Sequence, residues 1–121
     1  MEAILDSNFI ISCFKEKVDF VSQLEENGFK ILIPKEIIQE LKDLRLNVPH
    51  ADRVAIDMAF KILDSGKIKK TTLGSGKVDD KLIDKGKQGA YIATLDAYIK
   101  RNVPNRVVLN RAGKKIIIER T

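Results

Sequence analysis

Residues 3–8 of the chain are Ala-Ile-Leu-Asp-Ser-Asn, three apolar residues followed at once by three polar ones. A short apolar run that stops at an acid is typical of a buried strand in an α/β sheet, where ligands bind at the carboxyl ends of the strands. We therefore predict a first strand over residues 3–5 that ends at Asp6. Asp6 or Ser7 then caps the helix that follows.

Outward from this stretch, short apolar runs alternate with helical periodicity along the whole chain. The predicted strands comprise residues 3–5, 29–33, 68–73, 91–94, 106–109 and 115–118, the last two as a hairpin around Ala112-Gly113. Helices are predicted between them, the first continuing through Val18, Val21 and Leu24 to Asn27-Gly28. This order predicts an α/β fold with a central, mostly parallel sheet.

The composition indicates one globular domain over residues 1–121. Hydrophobic residues make up 44% and charged residues 32% of the chain, which excludes a disordered chain. No apolar run approaches the roughly 20 residues of a membrane span, so we expect no membrane partner. The start of the chain lacks the basic segment of a signal peptide, and the single cysteine, Cys13, cannot form an internal disulfide. We therefore expect a cytoplasmic protein.

The charge favours a polyanionic partner. Formal net charge is +5 and the sequence pI is near 9.4. Basic residues cluster in two stretches of the second half, at Lys67, Lys69, Lys70, Lys77, Lys81, Lys85 and Lys87, and at Lys100, Arg101, Arg106, Arg111, Lys114 and Lys115. The second half is therefore predicted to face phosphates, although a solvated lysine-rich surface would have the same composition.

Four acids stand where chemistry could occur. Asp6 and Asp96 each follow a predicted strand, and the carboxyl ends of parallel strands form the ligand-binding edge of such a sheet. Glu40 and Asp80 lie instead on predicted helices, beside apolar residues. Each acid alone is also explained as a helix cap or as a partner of the helix dipole.

If these carboxylates converge, a hard divalent cation explains them best. Four carboxylates without balancing arginines repel one another, and Mg²⁺ or Mn²⁺ prefers oxygen ligands. Such an ion lowers the pKa of bound water and stabilises the leaving oxygen of a phosphodiester. No cysteine or histidine nucleophile is then required.

With these residues in place, the chain resembles the PIN-domain nucleases over essentially its whole length. The matching pieces are Ile4-Leu5-Asp6-Ser7-Asn8, Ile33-Pro34 through Gln39-Glu40-Leu41, Asp79-Asp80-Lys81-Leu82-Ile83, and Tyr91-Ile92-Ala93-Thr94-Leu95-Asp96. Each piece is weak alone, but their order and spacing together are specific. In the second piece, Glu40-Leu41 fits the family's Glu-Leu pairing better than Glu36 does. In the third, the spacing to Ile83 favours Asp80 over Asp79.

The resemblance implies a three-layer α/β/α sandwich and a metal-dependent endoribonuclease that cleaves single-stranded RNA with Mg²⁺ or Mn²⁺. The metal-binding and catalytic acids that it implies are Asp6, Glu40, Asp80 and Asp96. Ser7, Asn8 and Thr94 match small polar residues that order the site, Asn8 being equally explained as a helix cap. Asp84 is either an accessory acid or a solvated helix residue. The residues predicted to contact RNA are Lys77, Lys81, Lys100 and Arg101.

The biological role stays open between two groups of PIN proteins. The last third is similar to compact members related to ribosomal RNA processing factors, whose partners would be ribosome-biogenesis proteins. It is equally compatible with VapC-type toxins, whose partner would be an antitoxin. A homodimer is compatible with either group. A PIN-like module that binds RNA or protein without cleaving it is the alternative function.

Two other phosphate chemistries fit the sequence poorly. A haloacid dehalogenase would need a second acid two residues after Asp6, where the chain has Asn8. The segment Gly74-Ser75-Gly76-Lys77 is not a Walker motif, because Thr71 replaces its first glycine and Val78 its Ser/Thr. We expect a loop there, with Lys77 able to reach an RNA backbone.

Overall fold

The computed structural model describes all 121 residues as six strands and six helices. The strands are β1 Glu2–Leu5, β2 Lys30–Pro34, β3 Lys69–Thr71, β4 Tyr91–Ala93, β5 Arg106–Asn110 and β6 Lys115–Glu119. The helices are α1 Ser7–Lys15, α2 Phe20–Glu26, α3 Lys35–Leu44, α4 His50–Asp64, α5 Val78–Lys87 and α6 Ala97–Asn102. None of these helices combines the length and the apolar character that crossing a bilayer would require.

The sheet is mostly parallel, as predicted. Its strand order is β3-β2-β1-β4-β5-β6, and every neighbouring pair is parallel except β5 and β6, which form the predicted hairpin. The chain builds β2 and β3 on one side of β1 and then crosses to β4 on the other side. The order therefore reverses between β1 and β4, and in open α/β sheets ligands bind in the crevice at this switch point.

Helices cover the two faces of the sheet and give the predicted three-layer α/β/α sandwich. The larger core, of 23 buried residues, lies under α1 to α4 and includes Phe9, Ile37 and Ile56. The smaller core, of eight buried residues, lies under α5 and α6 and includes Leu82 and Ile92. Successive residues of a strand point to opposite faces, so Ala3 and Leu5 of β1 enter the larger core and Ile4 the smaller one.

The prediction of one continuous helix through residue 24 was wrong. Lys17 has a φ of 57°, in the left-handed region, and this ends α1. The amide of Val18 then donates to the carbonyl of Cys13 at 2.8 Å, and Asp19 caps α2 by accepting from Ser22 N at 3.1 Å. Apolar spacing compatible with one helix therefore spans two helices here, and the signal for the start of the second, the capping residue Asp19, lies within that spacing.

Gly86 allows α5 to lie directly against α6 and the sheet. It is buried within the helix, and a β-carbon added there would stand 2.5 Å from Val103 Cγ1 and 3.2 Å from Ile92 Cγ1. The first distance is too short for two carbon atoms and the second is tight, and Val103 and Ile92 belong to the smaller core. The position of α5, whose first turn carries two of the acids discussed above, therefore depends on a missing side chain.

We predict that Gly86→Ala destabilises the fold by about 1–3 kcal/mol, because overpacking outweighs the roughly 1 kcal/mol that alanine contributes to helix propensity. The free energy of unfolding in urea measures the change. Lys87→Ala, an exposed substitution in the same helix, serves as the control and should lie within about 0.5 kcal/mol of the wild type. A Gly86→Ala protein as stable as the wild type would contradict the packing described.

Candidate functional site

Asp6 is a buried carboxylate at the switch point of the sheet. It follows β1 directly and is only 5% exposed. Its Oδ1 accepts from the amide of Ser7 at 2.9 Å, and its Oδ2 accepts from Thr94 Oγ1 at 2.7 Å. Because Thr94 follows β4, this second bond joins the carboxyl ends of the two strands between which the order reverses.

The surroundings of Asp6 disfavour its charged form. Burial is the main cause and raises the pKa of Asp6 from 3.8 to about 6, while the hydrogen bonds from Thr94 and Ser7 lower it. Two charged groups act on Asp6, and both are acidic: Glu40 and Asp79 raise its pKa further. A buried carboxylate that faces two acids is the electrostatic arrangement expected of a cation site or of a proton-binding group.

Asn8, Thr94 and Asp96 tie the start of α1 to the start of α6. Asn8 Oδ1 accepts from the amide of Leu95 at 3.0 Å, and Thr94 Oγ1 accepts from the amide of Asp96 at 3.1 Å. Asp96 in turn caps α6, since its Oδ1 accepts from Ile99 N at 3.0 Å. The structure therefore places Asp96 in the same hydrogen-bonded network as Asp6, through Thr94.

Glu40 reaches this network from the other side. Ile37 and Leu41 are buried in the larger core, which directs the intervening face of α3 towards the start of α1. Ser7 Oγ donates to Glu40 Oε1. Glu40 and Ser7 line a cleft of about 390 Å³ between α1, α3 and the start of α4. The structure therefore brings together Glu40 and Ser7, two of the residues predicted to belong to one site.

The first turn of α5 carries two adjacent exposed acids, Asp79 and the predicted site residue Asp80. Asp79 is the one whose charge raises the pKa of Asp6. Each acid lies three residues before a buried apolar residue, Asp79 before Leu82 and Asp80 before Ile83, so the helical period does not distinguish them.

The remaining predicted residues lie around this network rather than in it. Asp84 is exposed, with Lys81 Nζ 4.0 Å away in the preceding turn, which supports the solvated explanation. Lys77 is exposed and precedes α5 as its N-terminal flanking residue, so it lies at the same end of the helix as Asp79. Lys100 and Arg101, in the last turn of α6, line a cavity of about 400 Å³ that borders Ala97, the residue after Asp96.

The donor set fits a hard divalent cation by its chemistry. The acids named above offer carboxylate oxygens, and the groups that perturb Asp6 include no positive charge. As the side chains are placed, no three acidic, histidine or cysteine residues of the chain are close enough together to hold one ion. The backbone network thus brings the acids to one place without gathering them into a coordination shell.

Comparisons with known proteins agree with this architecture. The sequence profile of the PIN-like domain matches residues 3–112. Ribonuclease VapC9 of Archaeoglobus fulgidus is 29% identical over 122 residues, covering 97% of this chain and 88% of that protein. Among solved structures, that of the PIN domain endonuclease Utp24 superposes with a TM-score of 0.74 at 20% identity, covering 99% of this chain and 92% of that one. The last likeness shows the shared fold.

We predict that Asp6→Asn makes the metal-free protein more stable at pH 7, by about 1–3 kcal/mol. A carboxyl with a raised pKa in the folded state binds a proton that the unfolded chain releases, so folding stability falls as pH rises from about 4 to about 6. A rise from 3.8 to about 6 corresponds to a loss of at most about 3 kcal/mol. Asparagine has no such proton to lose.

The measurement is urea unfolding in EDTA at pH 4 and pH 7, with exposed Asp64→Asn in the last turn of α4 as the matched control. The gap between Asp6→Asn and the wild type should be wide at pH 7 and nearly closed at pH 4. If both proteins lose stability equally between these pH values, Asp6 is not the titrating group.

Proposed function

The chain belongs to the PIN-like domain family, and on that basis we propose that it is an endoribonuclease that uses Mg²⁺ or Mn²⁺ to hydrolyse phosphodiester bonds of single-stranded RNA. The observation that carries the proposal is the buried carboxylate of Asp6 at the switch point, with only acids acting on it. Similarity to a protein named ribonuclease supports the same activity.

The proposed metal ligands are Asp6, Glu40 and Asp96, with a fourth acid supplied by the first turn of α5. We assign that role to Asp79, on the evidence of its charge at Asp6, in place of the sequence-based choice Asp80. When bound, a divalent ion would supply an activated water and charge stabilisation at the leaving oxygen. Oxygen ligands, and the absence of any positive charge among the groups that shift the pKa of Asp6, support this chemistry.

The protein's own contribution is to hold these acids in place. Thr94 donates to Asp6 and accepts from the Asp96 amide, so one hydroxyl orients two of the acids. Ser7 Oγ holds Glu40, and Asn8 fixes the loop after β4 through Leu95 N. Thr94, Ser7 and Asn8 are therefore positioning residues. Asp6 and Asp96 also cap α1 and α6, and this capping fixes the direction of their carboxylates.

The expected substrate is RNA bound by its backbone. The proposed phosphate contacts are Lys77, Lys81, Lys100 and Arg101. Lys77 directly precedes α5 and so lies near Asp79, with Lys81 one turn further along the chain. Lys100 and Arg101 lie on α6, the helix that begins after Asp96. The partner is proposed to be either an antitoxin or a ribosome-biogenesis protein. Similarity to a VapC ribonuclease supports the first alternative.

A non-catalytic RNA-binding or protein-binding role is the second candidate. The specific observation in its favour is that no three potential ligands are gathered closely enough to hold one metal ion. The two candidates differ in whether a divalent ion enables cleavage.

We predict that the wild type cleaves a labelled, mixed-sequence single-stranded RNA with Mn²⁺ or Mg²⁺ and not in EDTA, and that Asp96→Asn lowers the rate at least about 100-fold. Asparagine keeps the Oδ1 acceptor that caps α6, so the fold should persist and the loss should be chemical. Asp64→Asn should cleave like the wild type. RNA binding without cutting in either metal would replace this proposal with the non-catalytic one.

We predict further that Asp79→Asn reduces cleavage at least about tenfold more than Asp80→Asn does. The two residues are adjacent and exposed, and both substitutions remove one negative charge from the first turn of α5, so each variant is the control for the other. The comparison uses initial rates on the same RNA. A greater loss in Asp80→Asn would restore the assignment made from the sequence.

A further inference from the structure

A second cationic surface lies on α3 and β3, outside the acidic network. Lys35 and Lys42 of α3 and Lys70 of β3 line an open groove of about 430 Å³ at the edge of the sheet. We call these three residues and the space between them the lysine groove. The remaining lining residues are Glu36, Ile38 and Gln39. The groove contains none of the four residues predicted to contact RNA, Lys77, Lys81, Lys100 and Arg101, although Lys70 belongs to the first of the two basic stretches.

The charge of the lysine groove is not neutralised within the protein. None of its three lysines forms an ion pair. Its one acidic residue, Glu36, is engaged elsewhere, because its two oxygens accept from Leu73 N and Thr72 Oγ1, each at 3.1 Å. Three exposed ammonium groups against one carboxylate leave an excess of positive charge, which attracts phosphates.

The position of the groove relates it to the acidic network. Lys35 is the first residue of α3 and directly follows β2, which is parallel to β1, so the groove opens at the same edge of the sheet as Asp6. In the strand order, the groove lies on the β3 side of the switch point. Lys100 and Arg101 lie on the other side, beside β5.

The lysine groove and the surface around Lys100 and Arg101 are too far apart for their electrostatic potentials to combine in salt. From β3 to β5 there are four strand spacings, about 19 Å at roughly 4.8 Å each. This exceeds the Debye length of about 10 Å in 0.1 M salt. A flexible polyanion that crosses the edge of the sheet would contact both surfaces and pass the acids between them.

We propose that the lysine groove binds backbone phosphates of the single-stranded RNA whose scissile bond lies at the acidic network, and that the strand continues to Lys100 and Arg101. This inference rests on the proposed function, since it names where that substrate lies. The groove has no aromatic side chain on which a base could stack, so the contact is to phosphate and independent of base sequence.

The first test measures binding without cleavage. Fluorescence anisotropy with a labelled single-stranded RNA in EDTA is compared for the wild type, the triple variant Lys35→Gln, Lys42→Gln, Lys70→Gln, and a control triple variant Lys17→Gln, Lys30→Gln, Lys61→Gln. The control removes the same charge from exposed lysines between α1 and α2, at the start of β2 and in the last turn of α4, all outside the two basic stretches. The groove variant should bind about 10- to 100-fold more weakly at 0.1 M salt, with its log–log salt slope reduced by about 2, as expected for up to three lost phosphate contacts.

The control triple variant should keep the wild-type slope. Equal slopes in the groove variant and the wild type would overturn the inference, as would an equal reduction in both triple variants, because net charge alone would then explain the binding. These measurements need no metal and no cutting.

The second test uses cleavage and separates the two proposals. The groove variant should raise KM for a long RNA with kcat unchanged, and it should cleave a dinucleotide, too short to reach the groove, like the wild type. If the wild type cleaves long RNA and the groove variant has the same KM for it, the inference is overturned. If the wild type cuts neither RNA, the proposed function is overturned instead. The binding measurement alone then shows whether the lysine groove binds RNA.

Discussion

The hydrogen bond from Thr94 to Asp6 is the interaction on which the arrangement of the site depends. It joins the residues that follow β1 and β4, the two strands between which the sheet reverses its order. Both groups are almost fully buried, so neither can exchange its partner for water without opening the core. The same hydroxyl accepts from the Asp96 amide. One threonine therefore sets the separation of two acids that come from different halves of the chain.

Burial at this point has an electrostatic cost that the protein does not compensate. The hydrogen bonds to Asp6 lower its pKa, but burial and the nearby acids Glu40 and Asp79 raise it to about 6. A structural carboxylate in such a place would usually be paired with a lysine or arginine. No lysine or arginine is among the groups that shift the pKa of Asp6, and two cationic surfaces lie on either side of it, on α6 and in the lysine groove. Negative charge is thus concentrated at the centre of the edge and positive charge on both sides of it, an arrangement suited to a phosphate chain with a bound cation.

The local devices that fix the acids are ordinary elements of secondary structure. Asp6 and Asp96 are helix caps, and each also belongs to the network around Thr94. A cap carboxylate is oriented by backbone amides, so its direction is determined before any ligand binds. Gly86 has the corresponding role for α5, because the close approach of that helix to Val103 and Ile92 decides where its first turn stands. Functional positions here are therefore set by packing and capping several residues away.

The sequence by itself determined the α/β class, the parallel sheet with its closing hairpin, and the positions of Asp6 and Asp96 at strand ends, because strand and helix periods and polar residues after apolar runs are local signals. The position of Glu40 beside buried Ile37 and Leu41 was also visible in the sequence, and its choice over Glu36 came from the family resemblance. Only the tertiary structure decided the break at Lys17, which acid of α5 raises the pKa of Asp6, and the meeting of Lys70 with Lys35 and Lys42 across two elements. These features depend on backbone dihedral angles and on which helix face packs against which strand, and neighbouring residues along the chain do not specify them.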